Sequence, residues 1–255
     1  MVCRAGKFGW VGVLVGWLAA GAGGAPAQTQ KPEPARAAAP EPLPFAPARV
    51  AVEEVPAPVR DKVRGVLDQA TLTARGPVEV FTCRPEVYFW LLENPDQAVR
   101  LWRMIGAKCT DIERDPGDGF CWRDAQGSKV RWDTVLKTPK QRVWYAEGKV
   151  NPGPLLPTVE VQAVAVLNYT EGTDAAGRPA VRHHIDLYVK TDSRAVALAA
   201  KVIGASSPRV AEQYVGQMEM FFAALAWYLD QHPHKAEEMF AELRKPPTPV
   251  RGKGN

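Results

Sequence analysis

The last third of the chain sets the strongest constraint on its fold. Val210, Tyr214, Met218, Phe221, Phe222, Leu225 and Leu229 recur three or four residues apart, the period of one face of an α-helix. Ser207 as N-cap and Pro208 at the first helical position open this helix, which runs to about Gln231. Most of a helix's stability comes from packing such a face, so it needs a broad apolar partner. The preceding chain supplies one, because there the hydrophobic period is two. Residues 109–114, 119–124, 129–136, 141–148, 158–169 and 180–190 read as strands, with turn signals at 115–118, 125–128 and 138–140. The last two strands are joined by the Gly/Asp-rich "EGTDAAGRP". An antiparallel sheet laid on a long C-terminal helix, an α+β fold, is the expected outcome.

The elements in front of the sheet are short. Residues 61–70 are helical, with Val63, Val66 and Leu67 on one face, and "PVEVFT", 77–82, is a strand. The stretch "VYFWLLENPDQAVRLWRMIG", 87–106, divides at Glu-Asn-Pro-Asp. Asn94 suits an N-cap, Pro95 the first helical position and Asp96 the positive end of the helix dipole, so two short helices meet there. Leu101, Trp102 and Ile105 form the apolar stripe of the second, and Gly106 stops it. The six consecutive apolar residues from Val87 to Leu92 cannot span a bilayer. Residues 192–203 and 234–243 read as further helices, and "NPGPLLP" from Asn151 as a stiff loop.

Residues 1–27 have the pattern of a cleaved export signal: Arg4 and Lys7, an apolar run from Trp10 to Ala20, and Ala25-Pro26-Ala27 before Gln28. The expectation is a periplasmic or extracellular protein, the alternative an uncleaved N-terminal segment that tethers it to the membrane or envelope. Cleavage takes the formal charge from +4 to +2, which argues against nucleic acid as a partner. In residues 28–58, eight of the 31 are Pro and eight are Ala, a composition that makes a disordered linker and not a core. One domain over 59–243 and a disordered Pro-, Lys- and Gly-rich tail over 244–255 complete the chain. Cys83, Cys109 and Cys121 are an odd number for an exported protein, at spacings that match no zinc pattern. Burial is the expected fate of each, and a single disulfide among them stays open.

Strand, helix pair, about six antiparallel strands, long helix: this order resembles the helix-grip fold of the START and polyketide-cyclase-like superfamily. The resemblance covers roughly 77–231 and rests on "EVYFWLLENPDQAVRLWRMIG" and "SPRVAEQYVGQMEMFFAALAWYLDQ". It implies a curved sheet of about seven strands wrapped on the long helix, the short helices closing one end, and a hydrophobic cavity between. The helix over 192–203 departs from that order. A half-barrel lipoprotein carrier is the second fold.

No catalytic motif is present: there is no G-x-S-x-G, no G-x-G-x-x-G, and no pair of carboxylates that spacing alone can join. In "VRHHIDLYVK", alternation puts His183 with Val181, Ile185, Leu187 and Val189 on the apolar face, and His184 and Asp186 on the other, toward solvent. His183 is then either a core histidine with a satisfied hydrogen bond or a polar anchor inside an apolar cavity. Trp122, Trp132 and Trp144 on consecutive strands are either core or cavity wall. Met218 to Phe222 reads as helix core with Glu219 as an exposed carboxylate. His232 and His234 lack the further ligands of a metal site. The expected function is non-catalytic binding of a hydrophobic small molecule or lipid between sheet and long helix. Its expected contacts are His183, Trp132, Trp144, Tyr214, Met218, Phe221 and Phe222, with no cofactor or metal. An envelope structural protein with a filled core is the alternative, and an enzyme using the same cavity ranks last.

Overall fold

The computed structural model describes residues 50–115, 117, 119–151, 158–191 and 207–245. The export-signal pattern, the linker to residue 49, the Pro-rich loop over 152–157, the helix expected over 192–203 and the tail from 246 lie outside the described residues.

Helix α1 is Ala57–Asp68, β1 Leu72–Arg75, β2 Glu79–Thr82, α2 Pro85–Glu93 and α3 Pro95–Met104. The strands β3 (Ile112–Arg114), β4 (Phe120–Arg123), β5 (Lys129–Lys137), β6 (Gln141–Val150), β7 (Val159–Thr173) and β8 (Pro179–Thr191) follow, then α4 (Ser207–Gln231) and α5 (Pro233–Leu243). The helix break at Asn94-Pro95 falls where the sequence puts it. Asn94 is the N-cap residue of α3 and its carbonyl accepts the Ala98 N–H at 2.8 Å, but its side chain makes no cap bond: the amide donates instead to the Trp90 carbonyl at 2.8 Å, at the end of α2.

All strand pairs are antiparallel, in the order β1-β8-β7-β6-β5-β4-β3, with β2 also on β8. The sheet thus has eight strands in seven positions, because β1 and β2 follow one another along the same edge of β8. Arg75 faces Asp186 and Glu79 faces His183, so Gly76, Pro77 and Val78 lie across from only Ile185 and His184. That extra residue is a bulge, and Pro77 has no N–H to offer the ladder there. The β7–β8 hairpin is closed by Asp174, which accepts the N–H groups of Ala176 and Arg178 at 2.8 and 2.9 Å, with Gly177 at φ 76°.

Both faces of the sheet are covered. The inner face, with α2 to α5, holds the larger core: Trp122, Trp132, Trp144, Leu167, Ile185 and Leu187 among others. The outer face packs Val143, Tyr145, Val164 and Val166 against Val63 and Val66 of α1 and against Val55. Cover on both sides explains why β7 reads as an almost unbroken apolar run. The fold therefore begins before the expected domain start at residue 59: Val55, inside the stretch expected as linker, has no exposed surface. Cys121 faces Glu113, and Ile112 faces Trp122. Cys83, Cys109 and Cys121 are all free thiols.

Candidate functional site

The inner face divides into two halves. At the edge, His183 is fully buried with both ring nitrogens engaged, Nδ1 on the Tyr88 hydroxyl at 2.5 Å and Nε2 on Glu79 Oε2 at 3.3 Å. One tautomer fits both contacts: Tyr88 O–H donates to Nδ1 and Nε2–H donates to Glu79. Burial lowers the His183 pKa, with Glu79 opposing, and burial raises that of Tyr88 well above the usual phenol value. Phe81 meets the imidazole edge-on at 5.0 Å. His183 is therefore held as a neutral, satisfied group.

Beside it lies a carboxylate that the sequence reading misplaces. Glu219 of α4 has no exposed surface, while Met220, read as core, is 55% exposed. Glu219 accepts the backbone N–H of Ile185, the residue opposite the edge bulge. A Cβ on Gly76 would lie 2.3 Å from this carboxylate, so the glycine makes room for it. Burial pushes the Glu219 pKa up to about 9, with the Ile185 N–H opposing and the charges of Glu79 and Asp186 adding. The signal for its burial was present: Glu219 is four residues after Val215 and three before Phe222, both buried.

On the outer face His184 and Asp186 are buried, not solvated. Arg75 donates Nε and Nη2 to Asp186 at 2.5 and 3.1 Å, and His184 Nε2 lies 3.3 Å from Asp186 Oδ2. Asn168 reaches His184 at 3.3 Å and receives Gln141 Nε2 at 2.9 Å. Burial works against the Asp186 charge, but the bonds from His184 and Arg75 outweigh it and hold the pKa down. Alternation assigned these residues to the right face; it could not show that Arg75, on a strand absent from the sequence reading, would cover them.

The other half of the inner face belongs to β4, β5 and β6. Trp122 faces Val130, Trp132 faces Ala146, and Trp144 faces Thr134. Each indole therefore sits two residues further along β5 than the last, and the three form a diagonal across the sheet. Ala146, Ala163 and Ala165 lie beside it as a floor of small side chains. All three tryptophans are at most 5% exposed, and none of their indole N–H groups has a hydrogen-bond partner. Trp102 of α3 behaves differently, donating to the Phe221 carbonyl at 3.1 Å. Next to Trp144 on β6 is Arg142, with a side chain 1% exposed. Its Nη2 meets Glu93 Oε1 at 3.1 Å, and its buried Nε–H has no partner. Neither Trp122 nor Arg142 was among the expected contacts. An arginine at the start of a strand reads as solvated, and only the two-sided cover of the sheet buries it.

Of the expected contacts, Trp132 and Trp144 lie together on this diagonal. Phe221 and Phe222 are buried on α4, with Phe221 against Trp102 at 5.7 Å, and Met218 packs partly buried on the same core. The helix itself runs over β8, β1 and β2. Tyr214 lies on α4, outside the described side chains. A cleft of about 410 Å³ between α2, the end of α4 and α5, lined by Val87, Asp230, Ala236 and Phe240, contains none of them. Among the described residues no group of three His, Cys, Asp or Glu side chains could hold a metal ion, and His232 lies instead against the Tyr228 ring at 4.7 Å.

No family model matches the chain, and no curated protein matches it significantly. Some solved structures align with it at low identity. A conserved protein from Geobacillus kaustophilus aligns at 13% identity and TM-score 0.41, over 61% of this chain and 95% of that one. The di-domain ARO/CYC BexL from the BE-7585A biosynthetic pathway aligns at 14% identity and TM-score 0.37, over 69% of this chain and 55% of that one. Norcoclaurine synthase from Thalictrum flavum aligns at 9% identity and TM-score 0.33, over 59% of this chain and 96% of that one. The class defined here is an α+β protein with an open eight-stranded antiparallel sheet and C-terminal helices, consistent with the helix-grip arrangement.

Proposed function

We propose that this is an exported, non-catalytic protein that binds an apolar small molecule bearing oxygen acceptors, on the inner face of its sheet. One observation carries the reading. Three buried indole N–H groups, on Trp122, Trp132 and Trp144, lie along one diagonal without partners. An unpaired buried donor costs about 1–3 kcal/mol, and native cores keep few of them. Three in one place fit a surface that a ligand's carbonyl, ether or hydroxyl oxygens complete. The apolar surroundings, Ala146, Ala163, Ala165 and the indole rings, suit its hydrocarbon part. Export is supported by the pattern of residues 1–27; among the described residues no helix is long and apolar enough to cross a membrane.

The test is native mass spectrometry of protein purified from its own host, followed by titration with fatty acids, sterol-like and isoprenoid compounds. Binding should appear as added mass and as shifts of three indole ¹⁵N–H resonances, assigned by replacing Trp122, Trp132 and Trp144 one at a time. Binding that leaves those three resonances unmoved while shifting others would place the ligand elsewhere. An envelope protein with a filled core, the second reading, predicts neither added mass nor shifts.

A further inference from the structure

Arg142 identifies the chemistry of one end of this site. A guanidinium is always charged and offers five N–H donors in a fixed plane. Here the side chain is 1% exposed, and Nη2 donates to Glu93 Oε1 at 3.1 Å. Glu93 is 45% exposed and also pairs with Lys137. Two cations thus share a single carboxylate, and the better exposed Lys137 takes part of it. The Nε edge of the guanidinium stays buried and unpaired. Arg142 and Trp144 occupy the same face of β6 two residues apart, a separation of about 6.5–7 Å. Tyr88 and Tyr169, which also feel Arg142, are phenols whose pKa values burial raises, so they bring no negative charge.

We infer that the ligand is an amphipathic carboxylic acid, its ionised carboxylate received by the Nε edge of Arg142 and its apolar body lying along the diagonal of Trp144, Trp132 and Trp122. This rests on the binding reading above and names the ligand class within it. A carboxylate brings two coplanar acceptor oxygens, which matches the free edge of a guanidinium. It also neutralises the excess positive charge that Glu93 alone leaves. A sterol's hydroxyl can accept from the Nε–H but leaves the charge uncompensated, and a hydrocarbon does neither.

The experiment compares a saturated fatty acid with the alcohol and the methyl ester of the same chain length, and with the matching alkyl phosphate, on the full purified chain near neutral pH. The parent should bind the acid roughly tenfold or more tightly than alcohol or ester, the scale of one charge-assisted hydrogen bond. Arg142→Gln should erase that preference, acid and alcohol then binding within about twofold of each other. Glu93→Gln, which frees the guanidinium and leaves its donors in place, should increase the preference, and it keeps the inference testable if Arg142→Gln fails to fold. Equal affinity of acid, alcohol and ester in the parent would overturn the carboxylate and leave the binding site standing. Tighter binding of the alkyl phosphate than of the acid would replace the ligand class with a phosphorylated lipid. No binding by any of the four, with the indole resonances unmoved, would overturn the site itself.

Discussion

The two halves of the inner face are made from the same sheet and are buried to the same degree, yet they treat polar groups in opposite ways. At the edge, Tyr88, His183 and Glu79 form a closed chain, and Glu219 fills the gap that the bulge leaves at Ile185. Among β4, β5 and β6, three indoles and the Nε of Arg142 are buried with no partner. Burial alone therefore does not separate core from site. What separates them is how much of the hydrogen-bonding capacity is used up: at the edge only Glu219 Oε2, among the described side chains, is buried without a partner, against four atoms in the other half. By that criterion the histidine that stands out in the sequence belongs to the scaffold, and the tryptophans that read as packing are the residues on which the proposed site rests.

The largest effect that tests this division is on the closed half. Glu219 has a pKa near 9 in the fold and an ordinary value of 4.5. The folded state therefore holds a proton that the unfolded chain releases between these values. Stability from this group is fully present below pH 4.5 and is lost as pH rises toward 9. The slope is about 1.4 kcal/mol per pH unit, or roughly 4 kcal/mol from about pH 5 to about pH 8. Glu219→Gln keeps an oxygen for the Ile185 N–H and carries no charge, so its stability should be nearly flat over that range. Denaturant melts at a series of pH values measure this directly. If parent and variant show equal slopes, Glu219 is ionised in the fold and not the neutral plug described.

His183 gives the next effect, with the opposite sign. Its folded pKa lies below 6.5, so the unfolded chain takes up a proton first and stability falls as pH drops below about 6.5. His183→Phe should remove this acid dependence and cost about 1–3 kcal/mol at neutral pH, because it orphans the Tyr88 hydroxyl. Adding Tyr88→Phe should return part of the loss, since both partners are then apolar. A cost that does not fall in the double variant would mean that the hydroxyl has another partner.

Much of the scaffold was legible because its signals are local. The Asn94-Pro95 break, the period-two strands and the apolar face of α4 depend on neighbours in sequence. The missed features depend on what lies opposite. β1, only Leu72–Arg75, is too short to show a period, yet its Arg75 buries Asp186 and the register sets it beside Gly76 and the bulge. Glu219 was placed outside because a carboxylate rarely faces a core, and the neighbour that allows it, an unfilled glycine on another strand, cannot be seen from the helix. Of the site, the residue types were legible in Trp132 and Trp144. The absence of partners for their N–H groups was not, because it belongs to the packed fold.

The smallest effect is the most discriminating, because it compares two kinds of tryptophan directly. Trp102→Phe removes one hydrogen bond, to a Phe221 carbonyl that stays within the α4 ladder, and should cost about 1–2 kcal/mol through that bond and lost packing. Trp132→Phe removes a fully buried N–H that has nothing to lose. The relief of that unpaired donor, about 1–3 kcal/mol, offsets the volume the smaller ring leaves behind. The net change without ligand should stay within about 1 kcal/mol, less than for Trp102 although Trp132 is the more deeply buried. Ligand affinity should order them the other way, with Trp132→Phe weakened several-fold and Trp102→Phe little changed. A loss of 3 kcal/mol or more in ligand-free Trp132→Phe, on the scale of a well-packed aromatic, would show that this half of the face is as closed as the other.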